Sequence, residues 1–192
     1  SDMMNLAEPA PMLNPRTRAV FARRLDEVMG TPGVELRAGS PLPGHRTHEQ
    51  AARHTPGESV MGSPVLLRCA WPVFRQKPAL HEEVFGPASL VVVCDSENDL
   101  LEAASSVQGS LTGSIFFDRP AADGATPESV LAARLQLVLE QRVGRIVFNG
   151  VPTGVEVCAS MVHGGPFPAT NQPHTSAVGH SAITRWCRPV CY

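Results

Sequence analysis

Near the middle of the chain, a pair of carboxylates, Glu82-Glu83, runs into Val84-Phe85, breaks at Gly86-Pro87, and gives way to the unbroken apolar run Leu90–Val93. Glycine followed by proline ends one backbone conformation and starts another. A β-branched run of that length, bounded by a turn signal, reads as a strand buried in a sheet. Two carboxylates beside such a strand are costly unless they are solvated or bound to something. A polar hook at the end of a core strand is a place where α/β proteins hold ligands.

The flanking sequence supports an α/β reading. Asn14-Pro15 pairs a helix cap with proline at the first helical position. Val20, Phe21, Leu25, Val28 and Met29 then share one face, and Gly30 ends the run. Val34–Ala38 alternates as a short strand. Residues 39–62 carry His45, His48 and His54 among polar, Gly and Pro residues and read as a surface excursion. Val65-Leu66-Leu67, with Cys69 and Trp71, reads as a buried strand leaving into Pro72, and Gln76–His81 as a single helical turn. Beyond the strand at 89–94, Asp95-Ser96 caps a helix with Leu100, Leu101, Ala104 and Val107 on its apolar face. Ser110–Phe117 is a strand. Residues 127–142 form the longest helix, with Leu131, Leu135, Val138 and Leu139 inward and Gly144 closing it. Arg145–Asn149 is the next strand. Alternation of this kind with short connections predicts βαβ units and a largely parallel sheet flanked by helices. From Gly150 to Thr175 no periodicity is visible, and a loop of that length is often functional. A short helix near Gly179–Trp186 and an extended end, Arg188–Tyr192, complete the reading.

The chain has 192 residues, 43% of them apolar and 18% charged, enough for a real core. A net charge of −2 gives no electrostatic case for nucleic acid or an anionic membrane. No apolar run reaches the roughly 18 residues of a membrane span, and Ser1-Asp2-Met3-Met4 lacks the form of a secretory signal. Five cysteines without paired Cys-x-x-Cys spacing fit reduced, cytoplasmic thiols better than a disulfide framework. Cys158 and His163 are candidates for a nucleophile and its base, against the plainer reading of a buried thiol and a loop histidine. Cys187 and Cys191 with His180 fall short of the roughly four regularly spaced ligands of a structural zinc site. His163-Gly164-Gly165 has the glycines of an esterase oxyanion loop, but no Gly-x-Ser-x-Gly elbow accompanies it. Glycines there serve close backbone approach instead. The arginines, Arg23, Arg24, Arg134, Arg142 and Arg145, read as helix-surface and helix-end residues.

Glu82–Pro87 resembles the E-x-F-G-P segment of the aldehyde dehydrogenase superfamily. Arg145–Gly150, Pro152–Cys158, Met161–Thr170 and Arg188–Tyr192 are similar to one branch, the NADP-preferring α-ketoglutarate semialdehyde (2,5-dioxopentanoate) dehydrogenases and related fatty aldehyde dehydrogenases. The similarity runs from about Pro9 to Tyr192 and is strongest after Leu80. It implies that residues 1–192 are the C-terminal portion of a catalytic domain, with 188–192 an oligomerisation edge strand. It implies NADP or NAD as cofactor, a small-molecule aldehyde as substrate, and a homo-oligomeric parent. Glu83 would hold the nicotinamide ribose hydroxyls and Phe85 would flank the nicotinamide. The bland alternative for Glu83 is a solvated acid on the surface. Phe148, Asn149, Thr153, Val155 and Phe167 would line the aldehyde pocket. The family's nucleophilic cysteine stands in a Q-x-C-T-like context that none of the five cysteines here occupies. The chain alone is therefore expected to lack activity. A non-catalytic scaffold of the same fold is the competing expectation.

Overall fold

The computed structural model describes residues 8–39, 60–118, 126–153 and 158–192. The three histidines at 45, 48 and 54, and Val155, lie outside the described residues. The chain divides after Asp95 into two compact units.

In the first unit, helix α1 spans Pro15–Met29. Asn14 caps it, its side-chain oxygen accepting from the Thr17 N–H at 2.8 Å, and Pro15 occupies the first turn without wasting a donor. Phe21, Ala22, Leu25 and Val28 form the buried stripe. Val20, expected inward, is 41% exposed. Strands β1 (Ala10–Pro11) and β3 (Met61–Gly62) make a small antiparallel ladder. Strand β2 (Glu35–Gly39) pairs antiparallel with β4 (Val65–Ala70), which pairs parallel with β5 (Ala88–Val93). The expected parallel arrangement holds for β4 and β5, and β2 adds an antiparallel edge.

Strand β4 is central, and Val65, Leu67 and Cys69 on alternate positions are buried. The apolar run of β5 occupies an edge of this three-stranded sheet, with Val91 44% exposed and no residue fully buried. Trp71 does not continue β4 as the sequence reading had it. It opens helix α2 (Trp71–Gln76), because Pro72 suits a first helical turn and stops a strand ladder. A 3-10 turn, Pro78–His81, leads into the carboxylate pair.

The second unit is built on a parallel pair, β6 (Ser110–Ile115) and β7 (Val143–Phe148), joined through helix α4 (Pro127–Leu139). Thr126 and Ser129 close a reciprocal capping box at the start of α4. Helix α3 (Glu97–Ser106) starts on the Ser96 cap and is tied to α4 by an ion pair, Arg134 to Glu97, at 2.9 Å. Helix α4 ends earlier than its apolar pattern suggests, and Gly144 lies inside β7 instead of closing the helix. The reason is contact: a Cβ on Gly144 would sit 1.9 Å from the Gly164 carbonyl oxygen. The Gly164-Gly165 segment thus lies directly on this strand. A second 3-10 segment, His180–Trp186, follows. Arg188–Tyr192 joins no ladder among the described residues.

Gly86 seats the turn of the first unit on α1. A Cβ at this position would stand 2.3 Å from Cδ2 of Phe21, whose ring is buried. Gly86→Ala is expected to lower the unfolding free energy by about 1–3 kcal/mol through overpacking. Combining it with Phe21→Leu should recover part of that loss, as read from urea unfolding midpoints.

Candidate functional site

The carboxylate-bearing stretch is fastened on both sides of a free centre. On its N-terminal side, Leu80 is buried. The His81 ring stacks on Phe74 with centroids 4.0 Å apart, and its Nε2 donates to the Phe74 carbonyl at 3.0 Å. Arg24 of α1 reaches across from the helix. Its guanidinium donates to the Ala79 carbonyl at 3.1 Å, meets Glu82 at 3.1 Å and also binds Glu27. Arg24 is only 13% exposed, so its charge is spent within this cluster. Periodicity places it on a helix surface; beyond Glu27 on the same helix, its partners come from a segment 55 or more residues away, which periodicity cannot reveal. On the C-terminal side, Gly86 rests on Phe21, and the Val65 N–H donates to the Pro87 carbonyl at 2.9 Å as β5 begins.

Between these fastenings, Glu83 and Phe85 face outward. Glu83 is exposed and has no hydrogen bond or ion pair among the described residues. Phe85 is 61% exposed. A charged group and an aromatic ring two residues apart on a fixed span can present one acceptor and one apolar face to a ligand. The Glu27 carboxyl is held below its ordinary value of 4.5, first by its hydrogen bond from Arg24. A depressed carboxylate stabilises the fold above its unfolded pKa. This anchor therefore persists as pH falls through 4.5 and is lost only at lower pH.

In the second unit, Asn149 follows β7 with a left-handed φ of 50°, a conformation asparagine tolerates better than most residues. Its amide is held at both ends. Oδ1 accepts from the Phe117 N–H at 2.8 Å and Nδ2 donates to the Phe117 carbonyl at 2.9 Å. The rings of Phe117 and Phe148 meet edge to face at 6.2 Å. Asn149 and Phe148 thus form one cluster at the ends of β6 and β7. Thr153 and Phe167 are exposed, Phe167 at 79%.

Arg145 lies in a strand, as the reading of 145–149 expected, and not at a helix surface or end. It lies inside β7, donating to Thr112 Oγ1 at 3.3 Å and to the Pro152 carbonyl at 2.8 Å. It therefore ties the start of the long loop to the sheet. The only hint in the sequence is an arginine inside an apolar strand.

Cys158 Sγ lies 3.6 Å from Ser160 Oγ, and no contact joins it to His163. Among the described residues, no group of three or more His, Cys, Asp or Glu side chains is arranged to hold a metal ion. Cys69 is buried, and desolvation, with a smaller contribution from neighbouring Cys94, pushes its thiol up from the ordinary value.

No family model matches the chain. It is, however, 36% identical over 191 residues to an α-ketoglutaric semialdehyde dehydrogenase of Acinetobacter baylyi, a match covering all of this chain and 33% of that protein. It is 47% identical over 119 residues to α-ketoglutaric semialdehyde dehydrogenase 2 of Azospirillum brasilense, covering 62% of this chain and 21% of that protein. The chain belongs to the aldehyde dehydrogenase superfamily.

The fold agrees. The betaine aldehyde dehydrogenase of Staphylococcus aureus, solved in complex with NAD+, superposes with a TM-score of 0.62 at 17% identity, over 92% of this chain and 29% of that one. Aldehyde dehydrogenase 21 of Physcomitrella patens, solved with its reaction product succinate, gives 0.54 at 18% identity, over 81% and 26%. This aldehyde dehydrogenase chain spans about a fifth to a third of the length of its curated relatives. The α/β architecture expected from the sequence is that of the superfamily.

Two measurements check the side-chain assignments. Iodoacetamide at neutral pH should modify the exposed Cys158, Cys187 and Cys191 first and Cys69 last, as followed by mass spectrometry. Asn149→Ala should destabilise by about 1–3 kcal/mol, through two lost backbone ties and a strained φ. Asn149→Gly should relieve only the backbone part, and thermal melts of the two variants separate the contributions.

Proposed function

We propose that this chain forms part of an NAD(P)-dependent aldehyde dehydrogenase that converts α-ketoglutaric semialdehyde (2,5-dioxopentanoate) to its dicarboxylate. The observation that carries this reading is the identity of 36% along essentially the whole chain to a protein of that name. The chain would be the C-terminal portion of the catalytic domain. The nucleophilic cysteine and most of the cofactor-binding surface would lie in the remainder of the parent. On that reading the 192 residues alone do not turn over aldehyde.

The residues present fit a nicotinamide cofactor. Glu83 is a carboxylate without a partner among the described residues, so both its oxygens are available to a ribose diol. Hydrogen bonds to an ionised acceptor are short and strong. Phe85 leaves an apolar face open beside it, and covering such a side chain contributes about 1.5–3 kcal/mol. A nicotinamide held by Glu83 and Phe85 would supply the hydride acceptor. The chain's own part is to bind and orient: Glu83 fixes the sugar, Phe85 flanks the ring and keeps water from one side, and the anchors on Arg24 and Phe21 hold both in place. Phe148, Thr153 and Phe167 would contribute walls to the aldehyde funnel. Asn149 shapes the mouth of the funnel by fixing the turn. Arg188–Tyr192, which joins no ladder among the described residues, would offer its backbone to a second copy in a cytoplasmic homo-oligomer.

Glu83→Gln in the full-length protein should weaken binding of NAD+ and NADP+ about tenfold, measured by quenching of intrinsic fluorescence at equilibrium. It should leave the unfolding midpoint where it was. Unchanged cofactor affinity would sink the ribose role.

A further inference from the structure

The second unit contains a cavity of about 290 Å³ that the dehydrogenase reading leaves unused. Its wall includes His163, Thr170, Asn171, Gln172, Thr175 and Arg185. Backbone ties hold this wall together. The buried Ser176 hydroxyl accepts from the His163 N–H at 3.0 Å, and the Ala177 N–H donates to the His163 carbonyl at 3.1 Å. The Gln172 N–H donates to Thr170 Oγ1 at 3.1 Å, and Thr175 Oγ1 donates to the Gln172 carbonyl at 3.1 Å. Gly164 and Gly165 are buried against β6 and β7, which fixes the floor.

The functional ends of the lining side chains are left over. The imidazole of His163, the amides of Asn171 and Gln172 and the guanidinium of Arg185 make no hydrogen bond or ion pair among the described residues. No Asp or Glu lines the cavity. The wall therefore carries one permanent positive charge, several neutral donors and no counter-charge. A single guanidinium fork matches a carboxylate in shape and charge. A phosphate dianion would leave one charge uncompensated. The volume lies at the lower limit of small-molecule sites and suits an acid of a few carbons.

We propose that this cavity binds the carboxylate of a small monoanionic acid, with Arg185 as its counter-ion and the side chains of His163, Asn171 and Gln172 as hydrogen-bonding partners. The acid is either the substrate's own carboxylate end or a separate metabolite, and both present the same group.

The test is calorimetric titration of 2-oxopentanoate into the full-length protein that carries this chain. Saturable binding is expected, weakened about tenfold or more in Arg185→Met and severalfold in Asn171→Ala, with unfolding midpoints of the unliganded variants unchanged. Neutral 2-pentanone should not bind, and inorganic phosphate should compete poorly. Absence of saturable binding, equal affinity in Arg185→Met, or equal competition by phosphate would overturn the proposal. Kinetics distinguish the two sources of the carboxylate. Competitive inhibition against α-ketoglutaric semialdehyde assigns the cavity to the substrate, and non-competitive inhibition assigns it to a separate acid. Binding is read without turnover. Failure of the cavity therefore leaves the dehydrogenase reading standing, and absence of aldehyde oxidation leaves the cavity standing.

Discussion

The contact between Gly86 and the buried ring of Phe21 is where sequence, fold and site meet. A turn that must bend sharply, and must also lie flat on an aromatic face, has room for one residue type. Once that turn is seated, β5 enters the sheet in register with β4, from Val65 opposite Ala88 to Ala70 opposite Val93. The two residues with free functional ends, Glu83 and Phe85, are then fixed by a backbone they did not shape. Arg24 completes the support from the other side. Its ion pair with Glu82 has an exposed carboxylate and contributes little stability. Its importance is positional, because the same guanidinium also grips the Ala79 carbonyl.

This arrangement separates support from chemistry. The residues that hold the hook are buried or paired: Phe21, Leu80, Arg24, His81. The residues that would meet a ligand are exposed and unpaired. The second unit repeats the division. Arg145 and Asn149 use their polar atoms on groups of the same unit, whereas Arg185 and His163 have no side-chain partner among the described residues. Side chains that spend no hydrogen bond on the protein itself are the ones available to a ligand.

Local structure was legible where local physics decides it. The Asn14 cap, the buried stripe of α1 and the capped start of α3 followed from composition and spacing. Parallel pairing followed from the alternation of helix and strand, and the fold decides that the partners are β4 with β5 and β6 with β7. What the sequence did not disclose depended on distant partners. Arg24 and Arg145 look like any surface arginines until the chain folds. Gly144 reads as a helix stop until Gly164 is brought against it. The apolar run of β5 reads as sheet-internal, yet it lies at the edge of its sheet. Of the residues implied by family resemblance, Glu83 and Phe85 share one span, and Phe148 and Asn149 share one cluster. Val155 lies outside the described residues. The only sequence signal for the Arg185 cavity was the long aperiodic loop from Gly150 to Thr175, since Leu111 and Arg185 join its lining from distant elements.

The fastening of Asn149 has a chemical corollary. Asn-Gly junctions lose ammonia when the following backbone nitrogen attacks the side-chain carbonyl carbon, and that attack needs the amide to swing free. Here the amide is clasped between donor and acceptor of Phe117, so the Asn149-Gly150 junction should age slowly while the fold is intact. Should conversion to aspartate occur, an oxygen would replace Nδ2 and confront the Phe117 carbonyl, acceptor against acceptor. One slow hydrolysis would turn a clasp into a repulsion and release the turn after β7.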